Sequence, residues 1–153
     1  MQTPEERLQE IGVSLPAPAV PVAAYVPCVR TGNLVYVSGQ VPVAEGKPTH
    51  VGHLGADVGL EAGRAAARTC AVNVLAALKA ELGELSRVRR VVKVTGFVAC
   101  TADFTDHPKV VNAASELFGE AFGEPGRHAR AAVGVPALPL GVPVEVEAIV
   151  EVA

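Results

Sequence analysis

Two charged side chains stand in otherwise apolar, extended segments near the end of the 153-residue chain. Alternation along the first segment puts Arg130, Ala132 and Gly134 on one face of a predicted strand. Along the second segment it puts Glu145 and Glu147 on one face and a row of valines on the other. A fixed guanidinium on a face of small residues suits a bound anion. Spacing alone favours the simpler interpretation, in which Arg130 pairs with a carboxylate on the surface of a sheet.

Histidines and acids elsewhere in the chain offer no complete catalytic or metal-binding set. His50 and His53 lie three residues apart in a glycine-rich loop, but a metal site needs three or four converging ligands and nothing nominates the others. Asp103, Asp106 and His107 stand around a helix start, where capping explains Asp106. We therefore predict that no metal is bound and that the two loop histidines have no special role.

The common nucleotide-binding and hydrolase motifs are missing from the sequence. It contains no Walker A motif, no Gly-x-Gly-x-x-Gly opening a helix after a strand, and no Gly-x-Ser-x-Gly elbow. Cys28, Cys70 and Cys100 are widely spaced and form no Cys-x-x-Cys pair. They are most simply interpreted as buried apolar residues, reduced in a cytoplasm. A nucleotide cofactor is therefore not predicted.

The first third of the chain is predicted to form a helix, a connector and a hairpin. A short helix is predicted over residues 3–11, because Thr3 can cap it and a proline and two acids follow in its first turn. Prolines punctuate the connector that follows. A hairpin of two extended segments begins at Val22, and a third short strand is optional around residues 48–53. We therefore divide the chain into an N-terminal helix and connector, residues 1–21, and a single domain, residues 22–153.

Two helices and a strand between them follow the hairpin. Helical periodicity predicts a long helix from Asp57, its N-cap, to about Leu82, and a second helix capped by Asp106. The intervening strand contains Gly96, which is expected to mark a bulge. The order β-β-(β)-α-β-α-β-β predicts an α+β fold, in which a mixed sheet carries both helices on one face and includes one parallel crossover.

The composition favours a chain that buries surface against copies of itself. Half of the residues are hydrophobic and only 19% are charged, against about 25% in an average globular protein. A homo-oligomer would cover the excess apolar surface. The net charge is −3 and aromatic residues make up 4% of the chain, which argues against nucleic acid as the main ligand. No apolar run is long enough for a membrane span, and no secretory signal is visible.

Three motifs occur in an order that is typical of one family. Residues 24–43 contain TGN, SGQ and a following proline; residues 110–118 read VVNAASELF; residues 129–149 open with ARAAV, continue with LP and close with VEVEAI. Together they resemble the YjgF/RidA family, also called endoribonuclease L-PSP-like, over about residues 24–150. Each motif alone is weak, but the combination is specific.

The resemblance implies a chorismate-mutase-like fold and a homotrimer, in which three sheets form a central barrel with the helices outside and clefts between the subunits. Members of the deaminase branch hydrolyse reactive enamine and imine intermediates, such as 2-aminoacrylate, to 2-oxo acids and ammonia without a metal or an organic cofactor. The expected function is therefore hydrolytic deamination of a small carboxylate. Non-catalytic binding of small carboxylates is one alternative. A ribonuclease or translation-inhibiting role is another, which the composition disfavours.

The resemblance also assigns candidate catalytic residues. Arg130 would hold the substrate carboxylate, because a planar guanidinium suits bidentate binding. Glu145 would orient or activate the water that attacks the imine carbon. Deaminase members usually have a cysteine two residues after the arginine, and this chain has Ala132 there. Hydrolysis does not require a thiol nucleophile, so the change bears on which substrate is used.

Five further positions would form the wall of the cleft. Ser38 and Gly39, at the end of the hairpin, and the backbone near Ala132 would line it. Tyr25 and Asn112 would complete its polar edge. Packing within the hairpin, or an amide on a helix surface, would explain the same side chains without any ligand.

Overall fold

The structure, a computed structural model, describes residues 1–18, 20–21 and 23–153, so Val22, where the hairpin was predicted to begin, lies outside the described residues. The helices within these ranges are α1 (Pro4–Glu10), α2 (Leu60–Leu82) and α3 (His107–Phe122). The strands are β1 (Cys28–Thr31), β2 (Leu34–Gln40), β3 (Val43–Ala44), β4 (Lys47–Pro48), β5 (Val88–Ala99), β6 (Ala129–Val135) and β7 (Val144–Val152).

Five of these strands form one mixed sheet in the order β1-β2-β7-β5-β6. The predicted hairpin is confirmed, since β1 and β2 pair antiparallel. The predicted crossover is confirmed too, because α3 connects β5 to β6 and these two strands run parallel. The optional strand around residues 48–53 is misplaced, because β3 and β4 form a separate hairpin that ends at Pro48.

Both long helices pack side by side on one face of the sheet. Helix α2 lies over β2 and β7, and α3 lies over β5 and β6. Every second residue of β7 is buried beneath them, from Val144 to Val152. Their small and branched side chains let helices and sheet approach closely. The predicted α+β fold is confirmed, and in the described part of the chain the second face of the sheet carries no helix.

Gly96 allows this close approach, and the bulge predicted there is wrong. It pairs in regular register with Ala132 on one side and Val146 on the other. A Cβ atom at this position would lie 2.5 Å from Cγ2 and 2.6 Å from Cγ1 of Val111 on α3. The glycine is therefore required by helix packing and not by a break in the strand.

The helix starts agree with the sequence at α1 but not at α2. Thr3 and Glu6 form the capping box expected of α1. Helix α2 begins at Leu60 with Gly59 as its N-cap, so the prediction that Asp57 caps it is wrong. The Asp57 carboxylate accepts instead from the His53 backbone N–H at 2.7 Å and closes the preceding turn. None of the described helices is long and apolar enough to cross a bilayer.

Candidate functional site

Arg130 lies on β6 and points towards α3. Its backbone pairs with Val94 of β5, whose side chain is 0% exposed under the helices, so both side chains are on the helix-covered face. Its Nη1 donates to Asn112 Oδ1 at 2.8 Å and to Ser115 Oγ at 3.2 Å. Its Nη2 approaches the Pro108 carbonyl at 3.5 Å. The structure thus brings Arg130 and Asn112 together.

All three of these acceptors are uncharged, and none of the ion pairs in the described part of the chain includes Arg130. The pairing with a surface carboxylate that spacing favoured is therefore not formed within these residues. A half-buried guanidinium held by neutral groups keeps its full positive charge uncompensated. Such a group attracts an anion more strongly than one that is already paired.

A hydrogen-bonded chain behind Arg130 was not predicted from the sequence. Ser115 Oγ lies 2.9 Å from His128 Nε2, and His128 Nδ1 lies 2.7 Å from the Gly126 carbonyl. Because a carbonyl only accepts, Nδ1 carries the proton and Nε2 accepts from the serine hydroxyl. Burial, followed by the charge of Arg130, lowers the pKa of His128 and favours this neutral form.

Sequence spacing contained a signal for this network. Asn112 and Ser115 are three residues apart on α3 and so share one face of the helix. His128 directly precedes β6 and lies two residues before Arg130, so in an extended segment their side chains share one face. A pocket of about 310 Å³ lies beside the arginine, lined by Ser115, Gly119, Gly126, Arg127, His128 and Arg130.

Glu145 lies on the opposite face of the same sheet. It pairs with Phe97 of β5, three residues beyond the position that pairs with Arg130, and an odd spacing along a strand reverses the face. The side chain covers Gly39, where a Cβ atom would lie 2.0 Å from Glu145 Oε2. Burial, followed by repulsion from Glu147, raises the pKa of the half-buried Glu145 carboxyl. The absence of a side chain at Gly39 leaves the space that the Glu145 carboxylate occupies.

Ser38 lies next to Gly39, and its hydrogen bonds connect it to the segment before β1, which contains Tyr25. The Ser38 hydroxyl donates to the Val26 carbonyl at 2.6 Å, and its N–H donates to the Pro27 carbonyl at 2.8 Å. These bonds fasten the segment that carries Tyr25 to the end of β2. The Tyr25 side chain is 57% exposed and so is accessible to a ligand or to a second protein chain.

The predicted site residues therefore form two groups in one chain. Arg130, Asn112 and Ala132 belong to the helix-covered face, where Ala132 packs partly buried against the core. Glu145 and Gly39 lie together on the uncovered side, next to the strand end that Ser38 occupies. One copy of the chain does not bring Arg130 and Glu145 to one point.

The two loop histidines hold the loop in place. His53 Nε2 lies 2.7 Å from the Pro136 carbonyl, and His50 Nδ1 lies 2.9 Å from Thr49 Oγ1. Among the residues that the structure describes, no group of three or more His, Cys, Asp or Glu side chains is arranged to hold a metal ion.

Known proteins resemble this chain over nearly its whole length. The family model "YjgF/chorismate_mutase-like, putative endoribonuclease" matches residues 5–152. Protein TCP17 of Trypanosoma cruzi is 48% identical over 145 residues, which cover 94% of this chain and 91% of that protein. The crystal structure of Atu1372 from Agrobacterium tumefaciens has a TM-score of 0.91 at 48% identity and covers 98% of this chain and 92% of that one.

A more distant solved structure contains a small molecule. E. coli TdcF with bound serine has a TM-score of 0.66 at 25% identity and covers 90% of this chain and 94% of that one. The sequence motifs, the sheet order and these comparisons agree. The chain belongs to the YjgF/chorismate-mutase-like family.

Proposed function

We propose that the protein hydrolyses reactive enamine and imine derivatives of small carboxylates, such as 2-aminoacrylate, to 2-oxo acids and ammonia. The reaction takes place in clefts between the subunits of a homotrimer and requires neither metal nor organic cofactor. The observation that carries the proposal is the guanidinium of Arg130, which, among the described residues, is held by neutral acceptors alone. Its remaining donors suit a carboxylate, which accepts two parallel hydrogen bonds.

The serine bound to E. coli TdcF supports a ligand of this class. Serine carries a nitrogen on the carbon next to its carboxylate, as do the enamine and imine substrates proposed here. The fixed geometry of Arg130 would hold the carboxylate end and leave the imine carbon facing the opposite wall of the cleft. Holding the substrate in one orientation lowers the entropic part of the barrier.

Glu145 supplies the base for the attacking water. The water oxygen bonds to the imine carbon while its proton passes to the Glu145 carboxylate. The π electrons of the carbon–nitrogen double bond move to the nitrogen, which takes up that proton and gives a tetrahedral adduct. The remaining hydroxyl proton then passes through Glu145 to the nitrogen as the carbon–nitrogen single bond breaks, which leaves a 2-oxo acid and ammonia. A raised pKa brings the carboxylate closer to the pH of the reaction and makes it a better general base.

The opposite orientations of Arg130 and Glu145 support a site shared between two copies. The face that carries Glu145 is not covered by any described helix and exposes Val29, Tyr36 and Val133 in part. Packing this face against other copies would bury those side chains and place Glu145 of one copy opposite Arg130 of the next. Ser38, Gly39 and Tyr25 would enter the cleft with Glu145, and Asn112 and the backbone at Ala132 with Arg130.

Arg130→Ala tests the proposal. With 2-aminoacrylate generated enzymatically, the wild-type protein is expected to accelerate ammonia release, and the variant to lose about 100-fold or more in kcat/KM because the substrate is no longer oriented. Arg68→Ala is the matched control, since Arg68 pairs with Glu120 on the helices, and it should retain full activity. An unaccelerated reaction with the wild-type protein would refute the deaminase function, and Arg130-dependent binding without turnover would establish the non-catalytic binder instead.

A further inference from the structure

A second pair of reactive side chains lies at the other end of the β5–α3 connection. Cys100 follows the last residue of β5, and His107 is the first residue of α3. The Cys100 Sγ lies 3.3 Å from His107 Nε2, which is hydrogen-bond distance for a thiol and an imidazole. Neither side chain is fully buried. A thiol next to an imidazole is the arrangement in which a cysteine can act as a nucleophile.

The pair opens into a pocket that carries little charge. The pocket has a volume of about 480 Å³. Of the described residues that line it, none is a lysine, an arginine or an acid. A small uncharged molecule therefore fits it better than the carboxylate proposed for Arg130. The lining consists of Cys100, Thr101, Ala102, Phe104, His107, Gly134, Val135 and Pro136.

Gly134 makes room for the pair. A Cβ atom at this position would lie 2.6 Å from His107 Nε2 and 2.8 Å from the Cys100 Sγ. The backbone of Gly134 has no left-handed φ angle, so the conformation of the strand does not explain the glycine. The Cys100 sulfur and the His107 ring nitrogen are in contact because Gly134 has no side chain to separate them.

Neighbouring groups fix both partners. The Cys100 N–H donates to the Val135 carbonyl at 3.2 Å. The ring of Phe104 meets the His107 ring edge to face, with centroids 5.4 Å apart. The next residue, Pro108, contacts Arg130 through its carbonyl, so the pair lies next to the arginine site but has a lining of its own.

The other two cysteines lack such a partner. Cys28 is also partly exposed, but its sulfur lies 3.8 Å from the Ala77 carbonyl, and burial raises the pKa of its thiol to about 11. Cys70 is fully buried and contacts the Val144 carbonyl. Carboxylates near these two thiols, Glu81 for Cys28 and Glu145 for Cys70, raise the pKa of each thiol further. Of the three thiols, Cys100 alone has an imidazole nitrogen within hydrogen-bond distance of its sulfur.

We propose that Cys100 and His107 form a second reactive site, which adds small uncharged α,β-unsaturated carbonyl compounds to the Cys100 sulfur with His107 as the base. The sulfur bonds to the β-carbon, and the π bond between the α- and β-carbons breaks, which leaves a single bond and moves the electron pair to the α-carbon. The thiol proton passes through His107 Nε2 to the α-carbon. The step is an addition, so it has no leaving group and needs no oxidant or reductant.

The base is required because the resting group is a thiol. Burial raises the pKa of Cys100, which the backbone N–H of Val135 only partly offsets. The proton therefore stays on sulfur at neutral pH and lies on the hydrogen bond to His107. Proton removal during the attack, and not a preformed thiolate, accounts for the reactivity of this site.

Acrylamide, a small uncharged electrophile, tests the proposal, with the adducts on Cys100 and Cys28 measured separately by peptide mass spectrometry. We expect Cys100 to react roughly 100-fold faster than Cys28, the lower end of the range for general-base catalysis. In His107→Gln the rate at Cys100 should fall to that of Cys28, and the rate at Cys28 should not change. Equal rates at the two cysteines, or an unchanged Cys100 rate in the variant, would overturn the proposal.

Two further variants keep the test decisive. Gly134→Ala places a methyl group between the sulfur and the imidazole and should lower the rate of acrylamide addition to Cys100 in the same way. This variant therefore still tests the proposal if His107→Gln fails to fold. Arg130→Ala should leave the acrylamide rate unchanged, because the arginine does not line this pocket. A slower Cys100 in that variant would show that the two sites are one, and would contradict the proposal of a separate site.

Discussion

The orientation of Arg130 depends on a hydrogen-bonded chain that ends at a backbone carbonyl. The Gly126 carbonyl fixes the tautomer of His128, and His128 Nε2 then accepts a hydrogen bond from the Ser115 hydroxyl. Ser115 thereby presents a lone pair to the guanidinium. Each group in the chain fixes whether its neighbour donates or accepts the next hydrogen bond. The arginine is therefore positioned before any ligand arrives, which reduces the cost of binding.

Glu145 should give the reaction a characteristic dependence on pH. Its pKa lies above the ordinary glutamate value, mainly through burial and then through Glu147. A base must be ionised to work, so activity should fall as the pH drops through this raised pKa. Glu145→Gln is expected to lower kcat by about 100-fold or more with little effect on KM.

Glu147→Gln is the matched variant for this prediction. It removes the second cause of the shift and keeps the size of the side chain, so the acid limb of the kcat profile should move to lower pH. Stopped assays of ammonia release across the acid range would measure both effects. A profile that does not move in Glu147→Gln would show that Glu147 does not influence the group that titrates.

At the level of single residues, the charged side chains of the site could be predicted from the sequence, but the hydrogen bonds that position them could not. Alternation correctly put Arg130 and Ala132 on one face, because the period of a strand is fixed. It did not identify Ser115 and His128 as supports for the arginine, since their contacts depend on how α3 crosses β6. Asp57 was misassigned because an acid before a helix can close either the helix or the preceding turn, and both choices look alike in sequence.

Among the secondary-structure elements, the contact between β5 and α3 determines how closely the helix approaches the sheet. Gly96→Ala should destabilise the protein by about 1–3 kcal/mol, because the new methyl group overlaps Val111 and the helix must move away. Gly119→Ala is the same substitution on α3, where an added Cβ meets nothing within 4 Å. It should stabilise the helix by about 0.5–1 kcal/mol. Urea unfolding of both variants measures the difference, and a neutral Gly96→Ala would contradict the packing argument.

Most of the elements were predictable, because hydrophobic periodicity depends on local sequence and on burial. The two long helices, the central strand and the crossover follow from it. The short hairpin of β3 and β4 was misplaced. Two-residue strands carry almost no periodic signal, and this hairpin is held by the Asn73 amide of α2, which donates to the Val41 and Val43 carbonyls at 2.9 and 3.0 Å.

For the whole molecule, the proposed site requires two copies of the chain. Arg130→Ala and Glu145→Gln should each be inactive, but mixing them during refolding should restore activity. A cleft with Arg130 from one chain and Glu145 from another is intact in about a quarter of random pairings in a cyclic trimer. If both residues acted from one chain, every site in the mixture would stay defective and no activity would return. Light scattering should give the mass of a trimer for each variant.

The central position of β7 has a consequence for protein synthesis. Among the described residues, the hairpin of β1 and β2 and the unit of β5, α3 and β6 are each paired to the rest of the sheet through β7 alone. Strand β7 is also the last of the described strands in the sequence. Until the ribosome releases residues 144–152, the two halves share no strand and each presents an unpaired edge to other chains. The sheet therefore closes only when β7 joins the two halves, and a chain stalled before β7 is expected to expose both edges.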